Sequence, residues 1–384
     1  MKKQMCFILI IVLLLLTACS KFNTEDNAFV YNENSKYDIY FNHVGNIGFI
    51  QVEDIKKGNI KHGKMRYMAT KNDDRMVYKI VSSEGKKVYA SVRTPGSNKA
   101  NRLIALQKGK IEKEVVFTDN HKPAEVINDV EYNRVFVELT QSNAINLPLG
   151  TPVRVVDYAT DEYYDCNFYI KGGIFGHDIN GDYIYGVSSG AKESLYTDVP
   201  DTHIFKIERK TLEMKILSEK DLGYLPRDLK VSPNGKIYIT TNGHVEMVDP
   251  ENPETTTYTS EDSLCIYDLD GNFQKKVNLK QWCNQIIISE EGIAYISHSG
   301  KRRDNDFKGD LLTIFDTNTD EVIRTIEGLS GITTMELKDD YLFIYTSEKQ
   351  SITIMDSKSF EILGEIPVDY KGFCVSMTVV KNSN

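Results

Sequence analysis

The chain has 384 residues, with 46 Lys+Arg against 55 Asp+Glu for a formal charge of −9, and 22 Tyr and 16 Phe but only 10 Pro. An acidic balance of this size argues against nucleic acid and anionic membrane surfaces as partners, because both attract basic patches. Abundant Tyr and Phe, with few segments of helical periodicity, favour strands.

Lys2 and Lys3 precede an apolar run from Phe7 to Leu16 and the tetrapeptide LTAC ending at Cys19. The run is too short to span a bilayer as a mature helix and suits the apolar region of a secretory signal. With the small Ala18 before Cys19, LTAC resembles the lipobox of bacterial lipoproteins. The resemblance implies a signal peptide at 1–18, acylation of Cys19 and anchoring on the extracytoplasmic side of the cell membrane. Two or more acyl chains on one residue make such anchoring stable. Residues 19–36, rich in Asn, Asp, Glu and Ser, read as a flexible tether after which the folded part, 37–384, begins.

From there an aromatic-centred strand recurs: DIYF at Tyr40, KVYAS at Tyr89, RVFVE at Phe136, YIYGV at Tyr185, KIYIT at Tyr238, IAYIS at Tyr295 and YLFIY at Phe343, in steps of 47 to 57 residues. Hairpin turns such as SPNGK and INGD precede most copies, supplying the positive φ that a tight turn needs. An apolar strand lies before each turn, as in DLKV, QIII and TMEL. A third strand follows and often closes on Asp157, Asp268, Asp316 or Asp356, whose carboxylates can bond to nearby amides and fix the next turn. A fourth strand completes the unit, as in EVIRTIEG.

Four antiparallel strands in a period near fifty make one propeller blade. The expected fold is an all-β, seven-bladed β-propeller. FCVSMTVV, at 373–380, has no successor, and YDIYFNHV, IGFIQVED and NIKHGKMRYM have no predecessor. Joined, the C-terminal strand and the N-terminal three complete the seventh blade and remove the open edges. GKIYITTNG…SLCIYDLDG and GDLLTIFDTNTDEVIRTI resemble the YVTN-type repeats of bacterial surface proteins and the wider WD40-like and quinoprotein-amine-dehydrogenase-like group. The likeness covers nearly all of 37–380, and its motifs are structural, so it implies fold far more than function.

In this strand order the second-to-third connections and the blade-to-blade connections share a face. The long insertions, 140–152, 188–203, 242–262 and 297–310, fall there. The innermost strands would begin on the same face around the channel mouth, placing Glu125, Arg227, Asp228, Trp282, Asn284, Thr333 and Phe373 near it. An arginine and an aromatic at a channel mouth suit an anionic or planar ligand; alternatively, Arg227 pairs with Asp228 or Glu125 and Trp282 packs between blades. His43, His244 and His298 read as solvated loop residues, and His177 as a structural hydrogen-bonding group. Cys166, Cys265, Cys283 and Cys374 are scattered and read as small buried residues, with a disulfide left open.

No nucleophile elbow, zinc-binding helix, P-loop or dinucleotide fingerprint occurs, so no catalytic, metal or cofactor residue is assigned. The expected function is a lipid-anchored binding or scaffold propeller for a protein, peptide or envelope glycan. The alternative is a propeller enzyme, either a metal-dependent lactonase or lyase or an oxidoreductase subunit.

Overall fold

A computed structural model describes residues 29–382 except 44–45, 70–75, 83–86, 94–100, 118–120, 141–149, 189–201, 219–225, 242–243, 247–256, 260–262, 280–282, 299–310, 330, 370–373 and 375. Cys19, Trp282 and Phe373 lie outside the described residues. The chain divides into Met1–Glu33, of which 29–33 are described and carry no strand, and Asn34–Asn384.

The larger unit is seven sheets of four principal antiparallel strands in a ring, with no helix among the described residues. From inside out, blade 2 runs Met76–Ser82, Val88–Arg93, Arg102–Gln107 and Lys110–Val116, and blade 3 runs Lys122–Asp129, Arg134–Thr140, Thr151–Asp157 and Tyr163–Ile170. Blade 4 runs Ile174–Asn180, Tyr183–Ser188, Ile204–Glu208 and Met214–Ser218. Blade 5 runs Pro226–Val231, Lys236–Thr241, Ser263–Asp268 and Phe273–Asn278. Blade 6 runs Cys283–Ile288, Ile293–His298, Leu311–Asp316 and Glu321–Glu327, and blade 7 runs Ile332–Lys338, Tyr341–Thr346, Ser351–Asp356 and Ile362–Pro367. Inner strands of successive blades touch all the way round the ring.

Blade 1 is built from both ends of the chain. Met377–Lys381 is its inner strand and pairs antiparallel with Tyr37–His43, Tyr40 facing Thr378, and Asn46–Lys56 follows outside. The single fourth strand expected from NIKHGKMRYM is two pieces, Asn59–His62 and Arg66–Ala69, both paired with Asn46–Lys56. The pairing of Val52 and Asp54 slips by a residue there, and Gly63 turns back to bond Gln51 O at 2.8 Å, so one run cannot stay in register. A second difference is a two-stranded hairpin, His244–Glu246 with Thr257–Thr259, set in the long connection of blade 5.

Alternation along the second strand serves two seams at once. Tyr238 packs in the apolar cluster between blades 5 and 6, whereas Ile237 and Ile239 pack in the cluster between blades 4 and 5. Tyr295 and its neighbours Ala294 and Ile296 divide in the same way. Both faces of the strand are buried, which is why these segments read as continuous apolar runs.

The repeated aromatic also reaches the next blade. Tyr40 Oη accepts the Gly109 amide at 2.9 Å, Tyr295 Oη donates to Ser357 O at 2.7 Å, and Tyr238 Oη lies 2.9 Å from Thr317 O and 2.7 Å from Asp320 Oδ1. Each partner belongs to the turn between third and fourth strands. Those turns are held as expected: Asp157 accepts the Ala159 and Thr160 amides at 2.8 and 2.9 Å, and Asp356 those of Lys358 and Ser359 at 3.1 and 2.7 Å. The hairpin turns take the left-handed backbone at Asn133, Gly235 and Asp339.

The two chain ends meet in a buried polar knot. Gln51 Nε2 donates to Ser35 Oγ at 2.7 Å and Asp38 Oδ1 at 3.1 Å, and Asn382 Nδ2 donates to the same two atoms at 2.8 and 3.0 Å. Deleting 377–384 should therefore abolish the cooperative thermal transition followed by circular dichroism, whereas deleting 20–33 should leave its midpoint unchanged. Extending the N-terminal deletion through Ser35 strips a buried partner from Gln51 and Asn382, and should cost about 1–3 kcal/mol in a denaturant melt.

Candidate functional site

The two ends of the ring differ in their connections. Turns between first and second strands are short, as from Asn180 to Tyr183 or Val231 to Lys236, and so are those between third and fourth, as from Asp268 to Phe273. On the other face the second-to-third connections run from Thr140 to Thr151, Ser188 to Ile204, Thr241 to Ser263 and His298 to Leu311. The strand ends beneath them are clasped by buried polar pairs: Ser188 Oγ with His203 Nδ1 at 2.8 Å, Thr241 Oγ1 with Ser263 Oγ at 3.1 Å, and His298 Nε2 with Thr313 Oγ1 at 2.8 Å. His298 is thus a fully buried strand residue, not the solvated loop histidine its position after an aromatic strand suggested. The side chains of His43 and His244 lie outside the described residues.

On this face six of the seven inner strands are bulged at their start. Tyr78, Phe175, Arg227 and Thr333 are extra residues between successive rungs; Ala124 and Glu125 together oppose Glu138, and Asn284 and Gln285 together oppose Ser297. Ala124, Phe175, Arg227, Asn284 and Thr333 therefore stand at one level, in equivalent positions of five blades, with Glu125 and Asp228 one residue farther in. A bulge re-aims its side chain out of the ladder. Phe175, which the sequence reading missed, is 40% exposed at this level, with the Arg227 guanidinium 5.9 Å from its ring centre. Its neighbour Gly176 is the local signal: a Cβ there would sit 2.2 Å from Leu229 N, so only glycine lets the inner strands of blades 4 and 5 come this close.

Below the bulges the inner strands carry charge. Lys79 Nζ pairs with Glu125 Oε1 at 2.8 Å, and His177 Nδ1 lies 3.4 Å from the same oxygen without making a hydrogen bond. The expected structural hydrogen bond of the His177 ring is replaced by its backbone carbonyl, which accepts Lys230 Nζ at 2.6 Å. Burial, aided by the nearby Lys230 and Lys79, holds the His177 imidazole far below its ordinary pKa and so neutral. Asp228 accepts the Leu229 amide at 2.8 Å and the Ile286 amide at 3.0 Å. Burial raises it and Asp178, pushes Glu138 up to about 8 and pushes Glu336 up to about 7. The signal for these residues was a charge inside an otherwise apolar inner strand, as in YKIV, DLKV and TMELK.

Glu125 and Asp228 are thus engaged by Lys79 and by backbone amides. Among the described residues no three His, Cys, Asp or Glu side chains converge as a metal ion would require. Cys166, Cys265, Cys283 and Cys374 are buried and form no disulfide with one another.

These features define a seven-bladed propeller whose polar channel opens among bulged strand starts on the long-loop face. No protein-family model matches the chain, and no curated protein matches it. Solved structures do resemble it. A protein of Lactobacillus plantarum is 12% identical with a TM-score of 0.60, over 90% of this chain and 100% of that one. A 6-phosphogluconolactonase candidate of Bacteroides uniformis is 13% identical with a TM-score of 0.58, over 90% and 100%. AztD of Citrobacter koseri is 14% identical with a TM-score of 0.52, over 91% and 99%. At these identities the likeness is one of fold.

Because Glu336 binds its proton more tightly in the folded chain, it contributes stability fully below its unfolded value of 4.5, and that contribution is lost as pH rises through about 7. Glu336→Gln should raise stability in urea melts by about 1–3 kcal/mol at pH 8. At pH 4.5 the gain should vanish.

Proposed function

We propose that the chain is a lipid-anchored extracytoplasmic binding protein that presents the long-loop face of its propeller to a protein, peptide or envelope glycan. The observation that carries this reading is the one-sided build of the ring. Long connections spring from clasped strand ends on one face only, and on that face bulges lift Phe175 and Arg227 to the channel mouth. Variable loops on a rigid frame are the usual way a scaffold supports recognition. An exposed aromatic beside an arginine is the residue pairing that anchors interfaces. Binding is preferred to catalysis because Glu125 and Asp228 are tied to Lys79 and to peptide amides, and the Ser188–His203 and Thr313–His298 pairs are buried clasps of strand ends. The anchor rests on LTAC and the apolar run before it.

Cys19→Ser should shift the protein from the membrane fraction to a soluble or unprocessed form on fractionation; unchanged partition and processing would exclude the anchor. For the face, whole cells displaying the chain should be compared in cross-linking capture with Phe175→Ala and Arg227→Ala variants, and with Glu290→Ala in an exposed turn of the opposite face. Loss of an interface anchor costs about 2 kcal/mol or more, roughly a thirtyfold drop in affinity. Capture that survives both long-loop-face changes and fails with Glu290→Ala would place recognition on the other side.

A further inference from the structure

The chain enters the ring at one point of one face. Tyr37–His43 is a second strand, and second strands start from the short-turn face, so the stretch before it reaches blade 1 on that face. It is fixed there: the Lys36 amide donates to Val52 O at 2.8 Å, Lys36 O accepts the Asn382 amide at 2.9 Å, and Ser35 is buried in the knot of chain ends. Around this point the short-turn face is basic, although the whole chain is acidic. Lys36, Lys56, Lys57, Lys87, Lys108 and Lys110 stand exposed at the turns of blades 1 and 2. The bond from the Gly109 amide to Tyr40 Oη draws the blade 2 turn against blade 1, so the six form one arc. Acidic neighbours do not cancel it. Lys36 and Lys56 share Asp54 at 2.6 and 3.0 Å, Lys57 takes Glu361 at 2.8 Å, and Glu112 on the outer strand of blade 2 adds one further acid, so positive charge stays in excess. Round the rest of the face the sign reverses. Glu131, Glu162, Asp182, Asp270 and Glu290 stand exposed at the turns of blades 3 to 6; Lys210 interrupts the series, and Lys236 and Lys358 are matched by Asp320 and Asp340 at 2.8 and 2.7 Å.

We propose that the lysine arc of blades 1 and 2 rests on the anionic phospholipid of the membrane that holds the anchor. The ring then stands tilted, its basic edge down, its acidic sector raised and its long-loop face turned away from the bilayer. The inference rests on the proposed anchor for the tethering alone; the attraction of the lysines to lipid phosphate is a property of the arc. Lysines close to an anionic bilayer are drawn to it over about a Debye length. The ion pairs within the arc lie at the surface, where such pairs are weak, so a lipid phosphate can take over a lysine from its carboxylate. The fifteen residues from Cys19 to Asn34 reach at most about 50 Å. Tethering that short makes contact with the bilayer an intramolecular event, and a modest attraction is then enough to orient the ring. Flat seating is disfavoured because it would press the acidic turns of blades 3 to 6 against lipid phosphate.

The test uses the full protein, purified from membranes and returned to vesicles of phosphatidylglycerol with phosphatidylcholine, or of phosphatidylcholine alone. Cys166, Cys265, Cys283 and Cys374 are buried, so a fluorophore can be placed at one introduced cysteine: Asn59→Cys in the basic arc, Glu290→Cys in the acidic sector or Asp369→Cys on the long-loop face. Energy transfer to an acceptor on the lipid headgroups should be strongest from position 59 and weakest from 369 on the anionic vesicles. The excess of 59 over 290 should be lost on phosphatidylcholine, at about 1 M salt where screening falls to about 3 Å, and on joint Lys56→Glu, Lys87→Glu and Lys110→Glu substitution. The lipid and salt arms need no substitution in the arc, so they stand even if that triple variant misfolds. Sedimentation of the same samples separates this proposal from the anchor. A chain that pellets with both vesicles and shows equal transfer from 59 and 290, or an excess indifferent to lipid charge and salt, keeps the anchor and overturns the arc. A chain that pellets only with anionic vesicles at low salt, with 59 nearest the lipid, keeps the arc and overturns the anchor. A chain that pellets with neither overturns both.

Discussion

Every inner strand of this ring is the edge of its sheet, and the peptide groups on that edge have no fifth strand to bond. Side chains from the adjacent blade meet much of that need. Ser376 Oγ bridges the amide and carbonyl of Ile80 at 2.9 and 3.0 Å, and the Gln285 side chain does the same for Met335 at 2.7 and 2.9 Å. Asn42 donates to Val77 O, Ser91 to Ala124 O and Thr240 to Asn284 O, while Glu138, Asp178 and Asp228 accept the amides of Ile174, Val231 and Ile286. An unmet buried peptide group costs about as much as a lost hydrogen bond. The blades are therefore tied at the centre by polar contacts as well as pressed together by their apolar faces.

That requirement explains why the channel is charged. Carboxylates recruited to hold neighbouring amides sit where water is scarce, so burial raises their proton affinity, and Lys79 and Lys230 offset only part of the accumulated negative charge. Farther out, between blades 3 and 4, the same problem has another solution. Asp129 is completely buried and is held by both Arg134, at 3.0 Å, and Arg209, at 2.5 Å. Two guanidiniums on one carboxylate fix the relative height of the blades through directed bonds that greasy contacts alone lack.

Much of this was legible in the residues. The seven aromatics gave the blade count because each packs against the next blade, and a buried side chain in that place with two buried neighbours leaves an unmistakable period. The closing strand was legible because the segment around Met377–Lys381 is an apolar strand without a partner in its own surroundings. What could not be read was anything set by register. Bulges are invisible in a pattern of alternating residues, so nothing in the alternation marked Phe175, which a one-residue slip turns outward. His298 looked like a loop residue because the strand continues one position farther than its apolar run, and the clasp with Thr313 buries it. The flat stacking of Tyr89 on Tyr158, nearly seventy residues apart, is likewise a relation that spacing does not encode.

The way blade 1 is assembled also has a consequence in time. Six blades each occupy a contiguous stretch of chain, so their strands can pair as soon as they are made, by short hairpins that form quickly. Blade 1 cannot. Tyr37–His43 and Asn46–Lys56 are synthesised first, yet their inner partner, Met377–Lys381, comes last. Until then the growing chain is an open arc with a bare edge at each end, and joining those ends is the least local step in its folding. The ring closes only once Met377–Lys381 has been made, and any event that delays that strand holds the chain in the form most prone to pair with other chains.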